Sequence, residues 1–471
     1  MSQPSGNPYQ APQVVETQAG VPDTHPTGFW FIFWGEFAER CSYYGMRAIL
    51  SNYMKIALVM GEAKAAAYMA YFTAGCYFLP LLGGYLADKY FGKYWTIVGF
   101  SVPYIFGHVV LGIENEGALV GALVLLALGS GMTKPNISTL MGMTYDQQRP
   151  GKEQLRSNAF AIFYLSINIG AAISSFAMPD IRDHYGYAIA FLFPAVLMAI
   201  AFFIFAAGKK RYAVEVIDKT PVPPEERAAQ WKVLRRLFGL FLLVACFWAI
   251  FDQSPSTWIF FGDVYMDKDI LGFEVSAEKM QSLNPVLIIL LLPIVTWLWN
   301  YLAKKGIKIR ATDKMFVGFV LTAVTMGIMS YAGHLAGPAE TRQVVKNGEE
   351  VTERVPLPDD RKVGLEWQAV AYIMLTIAEI LISVTGLELA FVSAPKSMKG
   401  LITAVWLFFV GVGNLFINVP ITQLYPQMEP DKYYGMLAIA MLVVAAVFVF
   451  VAKRFNAAMD AEKEIEAAHA G

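Results

Sequence analysis

GEFAERCSYYGMRAIL, residues 35–50, decides the fold, because it sits in an apolar stretch long enough to cross a bilayer and yet carries Glu36, Glu39, Arg40 and Arg47. Each such group costs about 2.5–3.5 kcal/mol at the bilayer centre on insertion scales. Positions 36, 39/40, 43/44 and 47 recur every three to four residues, which places Glu36, Arg40, Tyr43, Tyr44 and Arg47 along one face of a helix. At 1.5 Å per residue that stripe is about 16 Å long, roughly half the hydrocarbon thickness. Such a face must line a cavity or an interior polar network. Two carboxylates against two guanidiniums leave it nearly neutral, and pairs one turn apart can satisfy some of the groups. The plain alternative is ion pairing for structure alone, but a buried pair is seldom more stable than an apolar replacement, so a functional role explains the stripe better.

The rest of the composition agrees with a membrane setting. The 471 residues are 56% hydrophobic, 14% aromatic and only 16% charged, which a soluble domain rarely matches. A formal net charge of -1, without a basic run or tail, points away from nucleic acid. Cys41, Cys76 and Cys246 all fall in apolar segments and read as small core residues, not a disulfide framework. Residues 1–27 are rich in Pro, Gln, Gly, Ser and Thr without Lys or Arg, which predicts a disordered tail and argues against a secretory signal.

Apolar stretches of about 20 residues fall near 28–58, 64–88, 94–113, 117–145, 156–178, 186–208, 236–261, 281–303, 313–335, 365–393, 400–426 and 433–454. The expectation is an all-α membrane protein with twelve transmembrane helices. With a cytoplasmic amino terminus the inner loops carry about twice as many Lys and Arg as the outer ones, so both termini are expected in the cytoplasm. The basic, proline-bearing segment 209–235 reads as a linker between a six-helix bundle at 28–208 and a second at 236–454, with a tail at 455–471. In the outer loop 336–363, Asn347-Gly348 within VVKNGEEV suggests a hairpin, and a flexible loop would look similar.

Two six-helix bundles with a basic linker suit a rocking transporter of the major facilitator fold, its site near the midplane between the halves. GYLADKYFGK, residues 84–93, resembles the G-x-L-A-D-x-x-x-G-[RK] loop motif of that superfamily. There Gly84 permits close helix approach, and Asp88 with Lys89 and Lys93 forms a charge cluster that breaks when the halves rock. Read blandly, the two lysines are ordinary positive-inside residues.

Further ionisable groups lie at membrane depth: Lys134 in GSGMTKPNIST, Asp252 in FWAIFDQSPSTW, and Glu379 and Glu388 in AEILISVTGLELAFV. Carboxylates that respond to a nearby cation suit a proton-coupled carrier, and Lys134 beside Glu36 or Glu39 would hold that acid ionised. Arg47 and Lys134 could hold a carboxylate, Glu379 an ammonium, and Asn168 and Asn284 amides, while Tyr43, Tyr44, Tyr77 and Trp406 offer apolar pockets with polar rims. Any one of these aromatics alone is more simply core packing.

These stretches resemble the proton-coupled oligopeptide transporters. GEFAERCSYYGMR is similar to that family's E-x-x-E-R first-helix motif, GSGMTKPNIST to its G-x-G-x-x-K-P fourth-helix motif, and FYLSINIGA to its F-Y-x-x-I-N-x-G fifth-helix motif. FWAIFDQ, SLNPVL and AEILISVTGLE followed by APKSMKG are similar to its seventh, eighth and tenth helices, so the resemblance runs from about residue 28 to 454. It implies symport of di- and tripeptides with protons by alternating access. Glu36, Glu39, Arg40, Lys134 and Asp252 would couple proton movement, with Lys134 as ionic partner of the first-helix acids. Arg47 and Lys134 would lie near the peptide carboxylate, Asn168 and Asn284 near its backbone, Glu379 near its amino end, and Tyr43, Tyr44, Tyr77 and Trp406 around its side chains, with Ser383 also among the substrate-binding residues. The short linker leaves no room for the two extra helices common in bacterial members. Ala70 stands where animal members have a histidine, and the outer loop is too short for their large extracellular domain.

A carrier of the same family for another solute, such as nitrate, is the nearest alternative, and Glu379 speaks against a small anion. A membrane enzyme is disfavoured, because His25, His108, His184, His334 and His469 are scattered and no nucleotide loop or nucleophile motif is present. No metal and no cofactor other than protons is expected. The expected partners are a di- or tripeptide, protons and lipid; the expected form is a monomer in a bacterial inner membrane.

Overall fold

The computed structural model of the chain describes residues 22–217, 223–270, 272–307, 309–346, 349–392 and 399–470. It is built from long apolar helices: α1 Thr27–Asn52, α2 Glu62–Leu86, α3 Lys93–Leu111, α4 Glu116–Gln148, α5 Glu153–Ala207, α6 Pro224–Phe251, α7 Thr257–Tyr265, α8 Leu283–Lys304, α9 Ala311–Ala336, α10 Glu366–Glu379, α11 Thr385–Val392, α12 Lys399–Val412, α13 Val419–Thr422 and α14 Pro430–Ala470. Ten helical stretches among the described residues are long and apolar enough to cross a membrane. One of them, α5, is two spans, because Gly186 at φ 78° and ψ 168° turns the chain sharply where only glycine is unstrained. The 26-residue α1 does not join that set, since its charges lower its hydropathy. Counting both, twelve spans result among the described residues, with the stretch before the first span and the stretch after the last on one face, called inner below; the opposite face is called outer.

Three spans are interrupted. The seventh unwinds between α6 and α7, at Asp252–Ser256. The tenth widens to a π-helical turn at Ile380–Val384 and the eleventh at Gly413–Asn418. Irregular backbone at membrane depth is stable only inside protein or along a cavity, and π turns gather at functional sites, so these breaks mark where to look.

The structure differs from the sequence expectations at several boundaries. The stretch read as a linker is helical from Pro224 onward, with Pro224 in the first turn and Glu225 and Glu226 facing the helix dipole, both favourable for helix initiation. The stretch read as a carboxyl-terminal tail continues α14 to Ala470. In the outer loop, Thr341–Lys346 and Glu349–Arg354 pair antiparallel with Lys346 opposite Glu349; the Asn347-Gly348 turn itself lies outside the described residues, as do residues 1–21 of the amino-terminal tail.

The loop between α2 and α3 contains the expected pair of Lys93 with Asp88, joined by Glu215, whose carboxylate accepts from the backbone N–H groups of Lys93 at 2.5 Å and Tyr94 at 3.0 Å. The close-approach glycine is not the one expected. A Cβ on Gly84 would meet nothing within 4 Å, whereas one on Gly83 would lie 2.8 Å from the Met132 Cα. The contact of α2 with α4 therefore runs through Gly83. Replacing Gly83 by Val should cost about 1–3 kcal/mol and lower the melting temperature in detergent, while Gly84→Ala leaves it unchanged; equal effects at the two positions would refute this assignment.

Candidate functional site

A cavity of about 310 Å³ opens between the two bundles where the spans are broken. From the amino-terminal bundle Arg40, Tyr44 and Arg47 reach it on α1, Tyr77 on α2, Lys134 on α4 and Asn168 on α5; from the other bundle come Asn284 on α8, Glu379 and Ser383 near the π turn, and Trp406 on α12. These ten residues, far apart in sequence, were all expected at the site. Glu36, Glu39, Tyr43 and Asp252 do not line it. They lie behind its wall, each buried.

The first-helix stripe is an interior network. Arg40 Nε stands 3.1 Å from Glu36 Oε1 and is also paired with Glu39, and its guanidinium lies over the Tyr43 ring at 5.5 Å. Glu36 Oε2, Glu39 Oε1 and Arg40 Nη2 are buried without a hydrogen-bond partner among the described residues. One guanidinium thus serves two carboxylates. Lys134, expected as the ionic partner of these acids, is within electrostatic reach of Glu36 and Glu39 and places its Nζ 4.7 Å from the Tyr77 ring centroid, facing the cavity. Arg40 takes the position between the acids because it lies one residue from Glu39 and one helical turn from Glu36.

Arg47 and Asp252 join the two bundles, with Nη2 2.6 Å from Oδ1. The other Asp252 oxygen accepts from Asn414 Nδ2 at 2.7 Å. From there a polar chain continues: Asn418 donates to Asn414 at 3.0 Å, Gln253 donates to Asn418 at 2.7 Å, and the Tyr433 hydroxyl donates to Gln253 at 2.7 Å. The unwound turn of the seventh span is therefore satisfied by side chains from the first, eleventh and twelfth. Sequence reading missed Asn414 and Asn418, although two asparagines one turn apart in an apolar helix are a detectable signal.

Across the cavity, Glu379 Oε2 accepts from Asn284 Nδ2 at 2.7 Å, and Asn284 also donates to Thr376 Oγ1 at 3.1 Å. Asn284 thus orients the acid. Asn168 donates to the Tyr164 carbonyl at 2.9 Å, and the Trp406 ring stands edge-on to Phe241 with centroids 5.5 Å apart. Tyr164, Trp248, Gln281 and Tyr372 also line the cavity and were not singled out. Trp248 Nε1 is buried with no acceptor among the described residues, so it is a donor available to a bound molecule. The result is a bipolar chamber, with Arg40, Arg47 and Lys134 on one wall and Glu379 on the other.

Polar contacts close this chamber toward the outer face. Ser51 Oγ donates to the Pro255 carbonyl at 2.5 Å, Asn52 to Asp263 at 3.0 Å, and Gln281 to the Ala48 carbonyl at 2.9 Å. Farther out, Arg182 holds Glu278 through Nη1 at 2.6 and 2.7 Å, and Arg354 holds Glu62 at 2.9 Å. Each of these links one bundle to the other.

Comparison with known proteins agrees with this architecture. The POT family model matches residues 94–225 and 224–436. The chain is 31% identical to mouse (Mus musculus) solute carrier family 15 member 2 over 65% of its own length; it spans about half, 48%, of that protein. It is 24% identical to the uncharacterized transporter YclF of Bacillus subtilis (strain 168), with 92% of this chain and 95% of that protein covered. A crystal structure of an auto-inhibited POT family peptide transporter superposes with a TM-score of 0.77 at 27% identity, over 91% of this chain and 97% of that one. The fold is that of a major facilitator transporter, a class of carriers and not of enzymes. This chain belongs to the POT family, the proton-coupled oligopeptide transporters.

A double-mutant cycle with Arg47→Gln and Asp252→Asn tests the inter-bundle tie. Thermal unfolding in detergent should return a coupling energy in the range of about 0.5–3 kcal/mol expected for residues in direct contact, and additive effects would mean that the pair is not formed.

Proposed function

We propose that this protein is a proton symporter that imports di- and tripeptides by alternating access. The observation that carries the reading is the bipolar chamber, where cations on one wall and Glu379 on the other match a molecule with a carboxylate at one end and an ammonium at the other. The peptide transporter named among the structural neighbours supports the same cargo. Nitrate would leave Glu379 without a cationic partner and close to an anion. In this reading Arg47 and Lys134 receive the peptide carboxylate, Glu379 held by Asn284 receives the amine, and Trp248 with Tyr44, Tyr77, Tyr164 and Trp406 surrounds the side chains.

Proton coupling is assigned to the Glu36, Glu39 and Arg40 network with Lys134 and Asp252. A cluster with two acids and one guanidinium is short of one positive charge, and a proton supplies it. One proton moving inward at 100 mV contributes about 2.3 kcal/mol, about 50-fold in accumulation. In this reading the side closed by these contacts is the extracellular one. The inner face is then cytoplasmic, the protein a monomer, and the membrane a bacterial cytoplasmic one.

Uptake of labelled dialanine into proteoliposomes under an inwardly directed proton gradient, competed with di-, tri- and tetrapeptides and with nitrate, is the decisive test. Gradient-dependent accumulation blocked only by di- and tripeptides is expected; blockage by nitrate alone would overturn the cargo. Glu36→Gln and Glu39→Gln should each abolish accumulation while counterflow exchange persists, and unimpaired uphill uptake by both would remove the stripe from the mechanism. Glu379→Gln should raise the KM for dialanine roughly tenfold, the loss of about 1.4 kcal/mol of charge-assisted binding, and should erase the preference over N-acetyl-dialanine. A preserved preference would place the amine elsewhere.

A further inference from the structure

The donors in the polar chain behind Asp252 all point one way. Tyr433 and Thr257 donate from their hydroxyls to Gln253 Oε1 at 2.7 and 2.9 Å, Gln253 donates to Asn418 Oδ1 at 2.7 Å, Asn418 to Asn414 Oδ1 at 3.0 Å, and Asn414 to Asp252 Oδ2 at 2.7 Å. The second N–H of Asn414 goes to the Val410 carbonyl at 3.2 Å, and that of Gln253 to the Ala249 carbonyl at 3.3 Å. These backbone acceptors and the carboxylate fix the direction. Turning either amide over would set oxygen against oxygen in two places, so the positive ends of the dipoles face Asp252.

Two breaks in regular structure bring the chain together. Gln253 sits in the turns where the seventh span unwinds, and Asn414 and Asn418 lie in the π turn of the eleventh. A Cβ on Gly413 would collide with the Ala245 carbonyl oxygen, so the two spans meet there at backbone distance. Asp252, Gln253, Thr257, Asn414, Asn418 and Tyr433 are all buried, and each amide nitrogen and oxygen in the chain has a partner. Arg47 differs. It gives Nη2 to Asp252 at 2.6 Å but keeps Nε buried without a partner among the described residues, and it lines the chamber. The acid is held by its own bundle, and the guanidinium is the less committed member of the pair.

We infer that Asn414, Asn418, Gln253 and Tyr433 are positioning residues for the capture of a carboxylate: they hold the charge of Asp252 when Arg47 turns to an anionic group in the chamber. A buried carboxylate stripped of its counter-ion is strongly unfavourable, and hydrogen bonds to ionised acceptors are the strong kind. In low dielectric each bond of a donor chain polarises the next, so the far end contributes as well. Glu379, also an acid, lies within electrostatic reach of Asp252, which makes an unsupported charge there still less favourable. With the chain present, Asp252 keeps Oδ2 bonded and the pair can part at Arg47; without it the two must stay together. The inference rests on the peptide reading for the identity of the carboxylate. It goes beyond that reading in assigning a role to residues that do not line the chamber.

The test compares dialanine with dialanine amide, which lacks the carboxylate, in counterflow exchange across proteoliposomes at equal pH on both sides, where a defect in proton coupling does not register. For the otherwise unaltered chain KM should be lower for dialanine. Asn414→Leu should shrink that preference roughly tenfold, the loss of one hydrogen bond to a charged group, by raising KM for dialanine and leaving KM for the amide in place. Tyr433→Phe, at the far end and with the ring kept, should shrink it about threefold in the same sense. A general packing defect would move both substrates together. Equal shifts for the two, or an unchanged preference in both variants, overturn the inference.

A second measurement uses no peptide. The interaction between Arg47→Gln and Asp252→Asn, read as the non-additive part of their Tm shifts in detergent, should roughly double in the Asn414→Leu background. Arg47 is then the one remaining side-chain partner of the acid among the described residues. An unchanged interaction overturns the inference. Failure of the otherwise unaltered chain to distinguish dialanine from its amide would count against the peptide reading alone, with the unfolding measurement still deciding the role of the chain.

Discussion

The ion pair between Arg47 and Asp252 is the constraint on which the rest of the architecture depends. It joins one bundle to the other at membrane depth, and it sits where the seventh span leaves the regular α-helical pattern for a run of turns. Removing either partner would strand a buried charge, which costs about 3–5 kcal/mol. The chain of Asn414, Asn418, Gln253 and Tyr433 extends that dependence outward, because each donor is already committed to the next acceptor. A rocking motion of the bundles must carry this pair along or exchange its members for other partners. In the proposed peptide reading a substrate carboxylate in the chamber is such a partner for Arg47, which would link binding to movement through one guanidinium.

The same stoichiometry recurs in two places. In the first helix Arg40 lies between Glu36 and Glu39; at the outer gate Arg182 lies between Glu278 and Asp183. In low dielectric a shortfall of one positive charge is costly, and the cheapest remedies are a proton or a mobile cationic side chain. Lys134, turned toward Tyr77 and the chamber, is placed to be that side chain for the first cluster. In the second cluster the largely buried guanidinium has one buried partner, Glu278, and one exposed partner, Asp183. Guanidiniums are suited to both roles, since they stay charged and offer donors in several directions.

Much of this was legible in the sequence because membrane depth makes charge conspicuous. The three-to-four spacing of Glu36, Arg40 and Arg47 gave the orientation of α1, and Lys134, Asp252 and Glu379 stood out in apolar runs. What stayed hidden follows from the same reasoning. Tyr164, Trp248 and Tyr372 are chamber walls, but aromatics are common in every span and carry no mark of which face they occupy. Gly83 and Gly84 are adjacent, and only the rotation of α2 against α4 decides which one meets Met132. That Arg40 makes the direct contacts with the first-helix acids, with Lys134 acting from farther away, is a matter of distances that sequence cannot measure. Glu278 and Arg182 lie at loop edges, where charge is ordinary until burial is known.

Placement of the outer contacts also explains why the chamber can be both closed and responsive. The contacts nearest the chamber, Ser51 to Pro255 and Gln281 to Ala48, end on backbone carbonyls and carry no net charge. Those farther out, Arg182 with Glu278 and Arg354 with Glu62, are ion pairs. Neutral hydrogen bonds contribute about 0.5–1.5 kcal/mol each and change little with pH or salt. Ion pairs respond to both. A closure built with neutral bonds next to the chamber and ion pairs farther out keeps its inner layer insensitive to pH and salt.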